Sequence, residues 1–493
     1  MPRLLLFLFL LPCFGHAQFY DRNWVLGDSC VGITFQNDTT IVPFTFHSTV
    51  NAIFTITSIS DPQGNLLFFT NGITVYDMNG DTMDSGTRMV DSIYNQAENY
   101  GQNEPQGVII LPKEGSQYYL FYYSITDLQY INNGSLYPDM LYSAVIDMSL
   151  NGGKGKVISK QNFVYVGFQG DGRLTACRHA NGRDWWLVNH GYENNAYHVF
   201  LVTPNGVIGQ PIQHIGPAEL EPDAFGQAVF SPDGSKYVSA TISNPIVILD
   251  FDRCTGIFSN PDSIVVPTDT LLPGPPPVLD GAGAHGLAFS PDGRYLYACN
   301  IFHLNQYDMQ AANIAGSAVR IYTSLYTNNF YGFKNIFLAP NGQIICANFQ
   351  GFNHYFYSIQ KPNLLGTACN FDVHAILVPT HNTDVIPNMP NYRLGALIGS
   401  SCDTLHTGIN DLETGKNGLR VYPNPATDYI SISLLQYHKS AKLSIYDALG
   451  KEVYRNENMY LDDTIDVRKF SSGIYLIKVS SDDGDLTGRF VKE

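Results

Sequence analysis

Charge is scarce in this chain. Only 15% of its 493 residues are Asp, Glu, Lys or Arg, well under the quarter or so that soluble domains commonly carry. Acidic side chains outnumber basic ones by 44 to 28, a formal net charge of −16. No Lys/Arg cluster offsets that excess, so a phosphate backbone would be repelled and nucleic acid is excluded as a partner. Cysteine is sparse too. None of the eight cysteines forms a Cys-x-x-Cys pair, and no histidines stand at zinc-finger spacing, so neither a structural metal nor a cofactor is expected. Long apolar runs are missing after residue 11, so no integral membrane segment is expected. Also absent are a Gly-x-Ser-x-Gly elbow, a His-Glu-x-x-His pair and the Gly-Lys-Ser/Thr ending of a phosphate loop. The Gly-rich run around Asp171-Gly172-Arg173 therefore reads as a connecting loop.

What is plentiful is Gly, Asn, Ser, Thr and Tyr, with 13% aromatics and 44% hydrophobic residues. That balance suits strands and turns on a folded protein exposed to the outside of a cell. The N-terminus follows Arg3 with an apolar run from Leu4 to Leu11, then Gly15-His16-Ala17 before Gln18. This succession reads as a signal peptide of residues 1–17 cleaved between Ala17 and Gln18. Pro12 before Cys13 fits a lipoprotein signal poorly. Once that segment is removed seven cysteines remain, and an oxidising destination permits disulfides, with Cys369 and Cys402 a plausible pair. Cys299 and Cys346 lie in apolar strands and read as small buried hydrophobes.

The body repeats one turn. It appears as Asp61-Pro62-Gln63-Gly64, Pro112-Lys113-Glu114-Gly115, Ala180-Asn181-Gly182, Ser231-Pro232-Asp233-Gly234, Ser290-Pro291-Asp292-Gly293 and Ala339-Pro340-Asn341-Gly342. The closing glycines are 51, 67, 52, 59 and 49 residues apart. Pro presets φ early in such a turn, and Gly supplies the positive φ that ends it. A short apolar strand precedes each turn and an aromatic-rich strand follows, as in Tyr237–Ala240 and Tyr295–Ala298. Four antiparallel strands every fifty or so residues predict an all-β fold, a β-propeller of six to seven four-stranded blades spanning 18–402. A seventh blade would join N-terminal strands (Trp24–Leu26, Val31–Phe35, Thr40–Phe44) to a strand near Arg393–Ile398, closing the ring. Leu272–Gly283, with its run Pro275-Pro276-Pro277, reads as a surface loop, and residues 403–418 as a linker.

Residues 419–493 change character. Val421-Tyr422-Pro423-Asn424-Pro425-Ala426-Thr427-Asp428 is followed by alternating Ile430, Ile432 and Leu434, then Leu443–Asp447 running into Gly450-Lys451, then Gly473-Ile474-Tyr475-Leu476-Ile477-Lys478-Val479 and a terminal Arg489–Glu493. Period-two patterning between turn residues predicts a small immunoglobulin-like β-sandwich. The block resembles the C-terminal sorting domain (type A) of cargo of the type IX secretion system of Bacteroidota. The resemblance implies export through the periplasm to the outer surface or the medium, with the secretion machinery as partner. It places the sorting signal on Tyr422, Pro423, Asn424, Pro425, Asp428, Gly450, Gly473, Tyr475 and Lys492. The body in turn resembles large secreted propeller-like proteins of the same group, in runs such as Gly64–Gly72, Tyr142–Gly153, His179–Trp186 and Asn363–Phe371. No catalytic residues come with that resemblance.

For chemistry the residues offer little. Glu221, Asp223 and His285 precede innermost strands, where acids and an imidazole at a channel mouth could serve acid–base work on a glycosidic bond. Solvated loop acids explain them as well. His190 reads as a group that ties down a turn. Tyr118–Tyr123 and His354–Tyr357 could form aromatic platforms for sugars, although packing between blades accounts for them. A non-enzymatic binding module for a glycan or a surface protein is the leading expectation. The alternatives are an extracellular polysaccharide hydrolase or lyase, and a structural part of an adhesion or gliding apparatus.

Overall fold

The computed structural model describes residues 19–492, apart from 28–30, 37–39, 47–49, 51, 98–100, 135–137, 171, 220–225, 244, 267–269, 273–277, 280–282, 325–331, 350–352, 383–384, 404–418, 423–425, 435–440, 448–449, 460–463 and 482–483. Two compact units divide the chain, residues 1–405 and 406–493.

In the first unit consecutive strands pair antiparallel with their sequence neighbours, sheet after sheet. Seven such blades are built among the described residues. The first two are three-stranded: Asn23–Val25, Val31–Phe35 and Ile41–Thr45, then Thr57–Ser60, Leu66–Thr70 and Val75–Asp77. The third to seventh have at least four strands each, and their first strands are Val108–Pro112, Thr175–Arg178, Gly226–Phe230, Gly286–Phe289 and Gly332–Leu338. First strands touch one another from the first blade to the third and from the fourth to the seventh, and so line the centre. The two faces of each blade bury apolar side chains against the blades on either side.

The recurrent turn closes the first hairpin of the second to seventh blades. Gly64, Gly115, Gly182, Gly234, Gly293 and Gly342 all stand at φ between 64° and 89°, the region that a Cβ disfavours. In two of the turns a serine completes the lock. Ser231 and Ser290 donate to Asp233 and Asp292 and accept from the backbone N–H of Lys236 and Tyr295.

Ring closure differs from the expectation. Residues 393–398 form no strand, and the first blade takes no C-terminal strand. That blade instead packs directly on the seventh. Trp24, Ile33 and Phe35 share a core with Phe337, Ile345, Phe356 and Ile376. The C-terminal stretch of the unit turns into the centre of the ring, where it bonds to several blades at once. The physical reason lies in its composition: Pro387 and Pro390 cannot donate to a ladder, while Asn388, Asn391 and Arg393 carry side-chain groups that can satisfy strand ends.

Two further expectations change. The predicted loop Leu272–Gly283 contains part of a two-stranded sheet, Thr270–Leu272 with Val278–Leu279. Cys402 is bonded to Cys254, not Cys369. Cys369 is buried with its thiol free, in one apolar cluster with Cys299 and Cys346.

The second unit is a sandwich of two sheets. One holds Leu419–Tyr422, Tyr429–Leu434 and Thr464–Asp466; the other holds Glu452–Met459, Ala441–Tyr446, Gly473–Ser481 and Gly484–Lys492. Ile430, Ile432, Leu443, Ile445, Ile477, Val479 and Phe490 fill the space between them, as the period-two pattern requires.

Candidate functional site

Carboxamides organise the centre of the ring. Asn388 donates through Nδ2 to the carbonyls of Val108 (2.8 Å) and Leu174 (2.9 Å), at the entry of the third and fourth blades. Its Oδ1 accepts from Gln106 Nε2, its N–H donates to Ile56 O, and its carbonyl accepts from Thr57 Oγ1. Gln106 continues to Ala228 of the fifth blade, donating to its carbonyl and accepting from its N–H. Gln227 then accepts from Leu287 and Ile336 N–H and donates to Ile336 O, joining the fifth, sixth and seventh blades. Each inner strand would otherwise leave polar backbone groups unpaired in a buried place, which is costly.

Farther along, Tyr392 Oη donates to Ile110 O, Asn391 Nδ2 to Pro232 O and Arg393 to Pro340 O. The segment 385–393 thus runs from the strand-entry end of the centre toward the face that carries the first-hairpin turns. At that face it walls a cavity of about 300 Å³. The other walls come from Trp24, Phe230, Leu287, Phe289 and Phe337 and from the turn prolines Pro232, Pro291 and Pro340. Asp21 and Arg393 form an ion pair at 3.1 Å among the lining residues. Burial pushes the Asp21 carboxyl above its ordinary range, and the guanidinium of Arg393 opposes that shift. The cavity is an apolar recess with one ion pair, an arrangement suited to holding an apolar group.

A second polar group lies at the other end. Arg173, fully buried, is paired with Glu219, and His190 Nδ1 stands 3.6 Å from the same carboxylate. Burial depresses the His190 imidazole to about 4 despite the nearby carboxylate. Burial also works against ionisation of Glu219, but Arg173 outweighs it and holds the carboxyl below its usual value. The imidazole packs edge-on against Tyr197. The trio therefore knots the fourth blade to the connection leading into the fifth.

Of the expected acid–base group, His285 is buried at the entry of the sixth blade, while Glu221 and Asp223 lie outside the described residues. Most of the expected aromatic platforms are packing: Tyr118, Tyr119, Phe121, Tyr122, Tyr123, Phe356 and Tyr357 are buried, while His354 and Tyr355 are half-buried. Sequence reasoning missed the central role of Gln106, Gln227 and Asn388. Only the last carried a signal, its position between two prolines outside any strand. No group of three or more His, Cys, Asp or Glu side chains able to hold a metal is found among the described residues.

In the second unit the expected signal residues occupy turns and strand ends. Asp447 Oδ1 accepts from Lys451 N–H, and Gly450 closes that turn at φ 80°. Tyr475 is stacked on Phe490 at 5.3 Å and donates to Ser471 O. Asp428 is exposed and its carbonyl accepts from Val467 N–H, Gly473 begins a strand, and the Lys492 side chain is mostly buried. Tyr422 ends the first strand of the unit. Pro423, Asn424 and Pro425 lie outside the described residues, as do Ala17 and Gln18.

The profile of the secretion system C-terminal sorting domain matches residues 420–493. This unit is a type IX sorting domain. The chain is therefore cargo for export, destined for secretion or attachment to the outer surface, and among the described residues no helix is long and apolar enough to cross a membrane. A stretch of 65 residues is 38% identical to an endo-acting ulvan lyase of Formosa agariphila, covering 13% of this chain and 12% of that enzyme. The chain thus spans about an eighth of the curated relative it matches. Among solved structures, a Bacteroides uniformis protein provisionally described as a 6-phosphogluconolactonase covers 74% of this chain and 98% of its own at 13% identity and TM-score 0.42. The Cps50 (Swd1) β-propeller domain of Myceliophteria thermophila covers 78% and 96% at 12% identity and TM-score 0.30. The propeller assignment stands on the blades of this chain and not on those scores.

Proposed function

We propose that the exported body, residues 18–402, is a non-enzymatic recognition module that binds at the hairpin-turn face of the ring. The cavity walled by the turn prolines and by 387–393 carries this reading. Its walls are mainly apolar, which suits a side chain of a surface protein better than a hydroxyl-rich sugar. Occupation of the centre by the chain's own segment leaves recognition to the mouths of the ring.

The test uses the exported protein, cross-linked on intact cells and probed on a glycan array, beside Val229→Trp. Val229 is half-buried and lines the cavity, so an indole there fills the recess. Loss of a cross-linked protein partner in the variant, with glycan signals unchanged, supports the reading. Equal cross-linking by both proteins overturns it. The partial likeness to a lyase motivates a second arm, in which new reducing or unsaturated ends are recorded on a polysaccharide panel. Turnover would replace the module by a hydrolase or lyase, whereas capture into a filamentous surface assembly would point to an adhesion or gliding part.

A further inference from the structure

The segment that fills the centre of the ring does not end there. Beyond Arg393 it crosses the hairpin-turn face, where Gly395 O accepts from Arg253 and Leu397 N–H donates to Ala180 O. It then reaches Cys402, which is bonded to Cys254 in the loop between the third and fourth strands of the fifth blade. Both cysteines are only half-buried, so a reductant can reach the bond. The described free thiols are, by contrast, buried.

We propose that the Cys254–Cys402 bond is a redox-controlled latch that holds the central segment in its channel. Three observations converge on this. The segment is made after all seven blades in chain order, so it enters a ring that can already be assembled around it. Inside the channel Asn388 reaches Val108 and Leu174 and Tyr392 reaches Ile110, so the segment is held there by hydrogen bonds and packing and not by strand pairing. The covalent bond lies only 14 residues further on, outside the channel, where it blocks withdrawal without occupying the centre. Closing the latch oxidises two thiols to one disulfide, and two protons and two electrons pass to an oxidising protein disulfide, which is reduced to a dithiol in exchange. Opening reverses that step with a dithiol as electron donor. A tether of this length keeps the free end at high effective concentration near its channel, and cutting it turns recapture of the segment into a search.

Amide hydrogen exchange on the full-length exported protein tests the latch, with dithiothreitol as the reductant and Cys402→Ser as an independent break. The oxidised protein should protect the Asn388 and Leu397 amides as strongly as those of residues 108–111. Reduction, and separately Cys402→Ser, should speed exchange at 388 and 397 by about tenfold or more while the inner-strand amides keep their protection. Unchanged exchange at 388 and 397 after the bond is cut would overturn the proposal, because the segment would then be held by its own hydrogen bonds. Loss of protection in residues 108–111 as well would also overturn it, because the bond would then hold the ring and not the segment.

Discussion

The two units of this chain store their information differently. In the sorting domain the recognisable residues lie close together in sequence, at turns and strand ends around a small aliphatic core: Gly450 in one turn, Tyr475 stacked on Phe490, Asp428 at a strand entrance. In the body the decisive contacts are remote. Asn388 meets Val108 across 280 positions and Leu174 across 214, and Arg393 meets Asp21 across 372. A signal that a machine must read can be short and local. A ring that must close has to be held by residues at its two ends.

The sharpest way to break this contrast is to remove one unit. Deleting residues 418–493 should abolish appearance at the cell surface and leave the protein in the periplasm, while the body still resists protease, because each unit has its own core. Fractionation with limited proteolysis reads both outcomes together. A truncated chain that reaches the surface normally would sever the link between the sorting domain and routing.

The converse change should spare routing and damage the body. Asn388→Leu fills the same space but leaves Val108 O, Leu174 O and Gln106 Nε2 without that partner, a loss of roughly 3 kcal/mol in body stability. A shift of the denaturant midpoint at constant slope would register it, and the sorting domain's own transition should not move. A smaller effect, below about 1 kcal/mol, would mean that water replaces the carboxamide and that the centre is wetter than its hydrogen bonds suggest.

These differences also explain what could be read from residues alone. The repeated turn was legible because its chemistry is local: Pro and Gly act on their own φ, and the six closing glycines all take the positive φ expected of them. Burial of Tyr118–Tyr123 followed from alternation between two packed faces. Ring closure was not legible, because a strand at 393–398 and a segment entering the channel look alike until it is known which backbone groups wait unpaired at the centre. The disulfide failed for the same reason. Cys369 was the expected partner of Cys402, and it is the path of 385–402 across the hairpin face that brings Cys402 instead to Cys254 of the fifth blade. The sorting block needed no such geometry, since its pattern sits within seventy-odd residues.

The smallest predicted effect probes the polar knot at the strand-entry end, which has no counterpart among the described residues of the sorting domain. His190 is held neutral by burial, its folded value of about 4 lying below the ordinary 6.5. The unfolded chain therefore binds the proton first as pH falls, and stability must drop between about 6.5 and about 4, by at most about 1.4 kcal/mol per pH unit for this one group. Glu219 acts in the same direction at the lower end. Its folded value is depressed by Arg173, so its contribution is present above the ordinary carboxyl range and is lost as pH falls through its folded value. His198, also lowered to about 4 by burial, titrates in the same window, so His190→Gln alone should flatten the slope without abolishing it. Urea melts of the body from pH 7.5 to 4.5 would show that partial flattening. A slope identical in wild type and variant would assign the whole acid sensitivity to other groups, and would leave the Arg173–Glu219 pair as a tie that does not depend on its histidine neighbour.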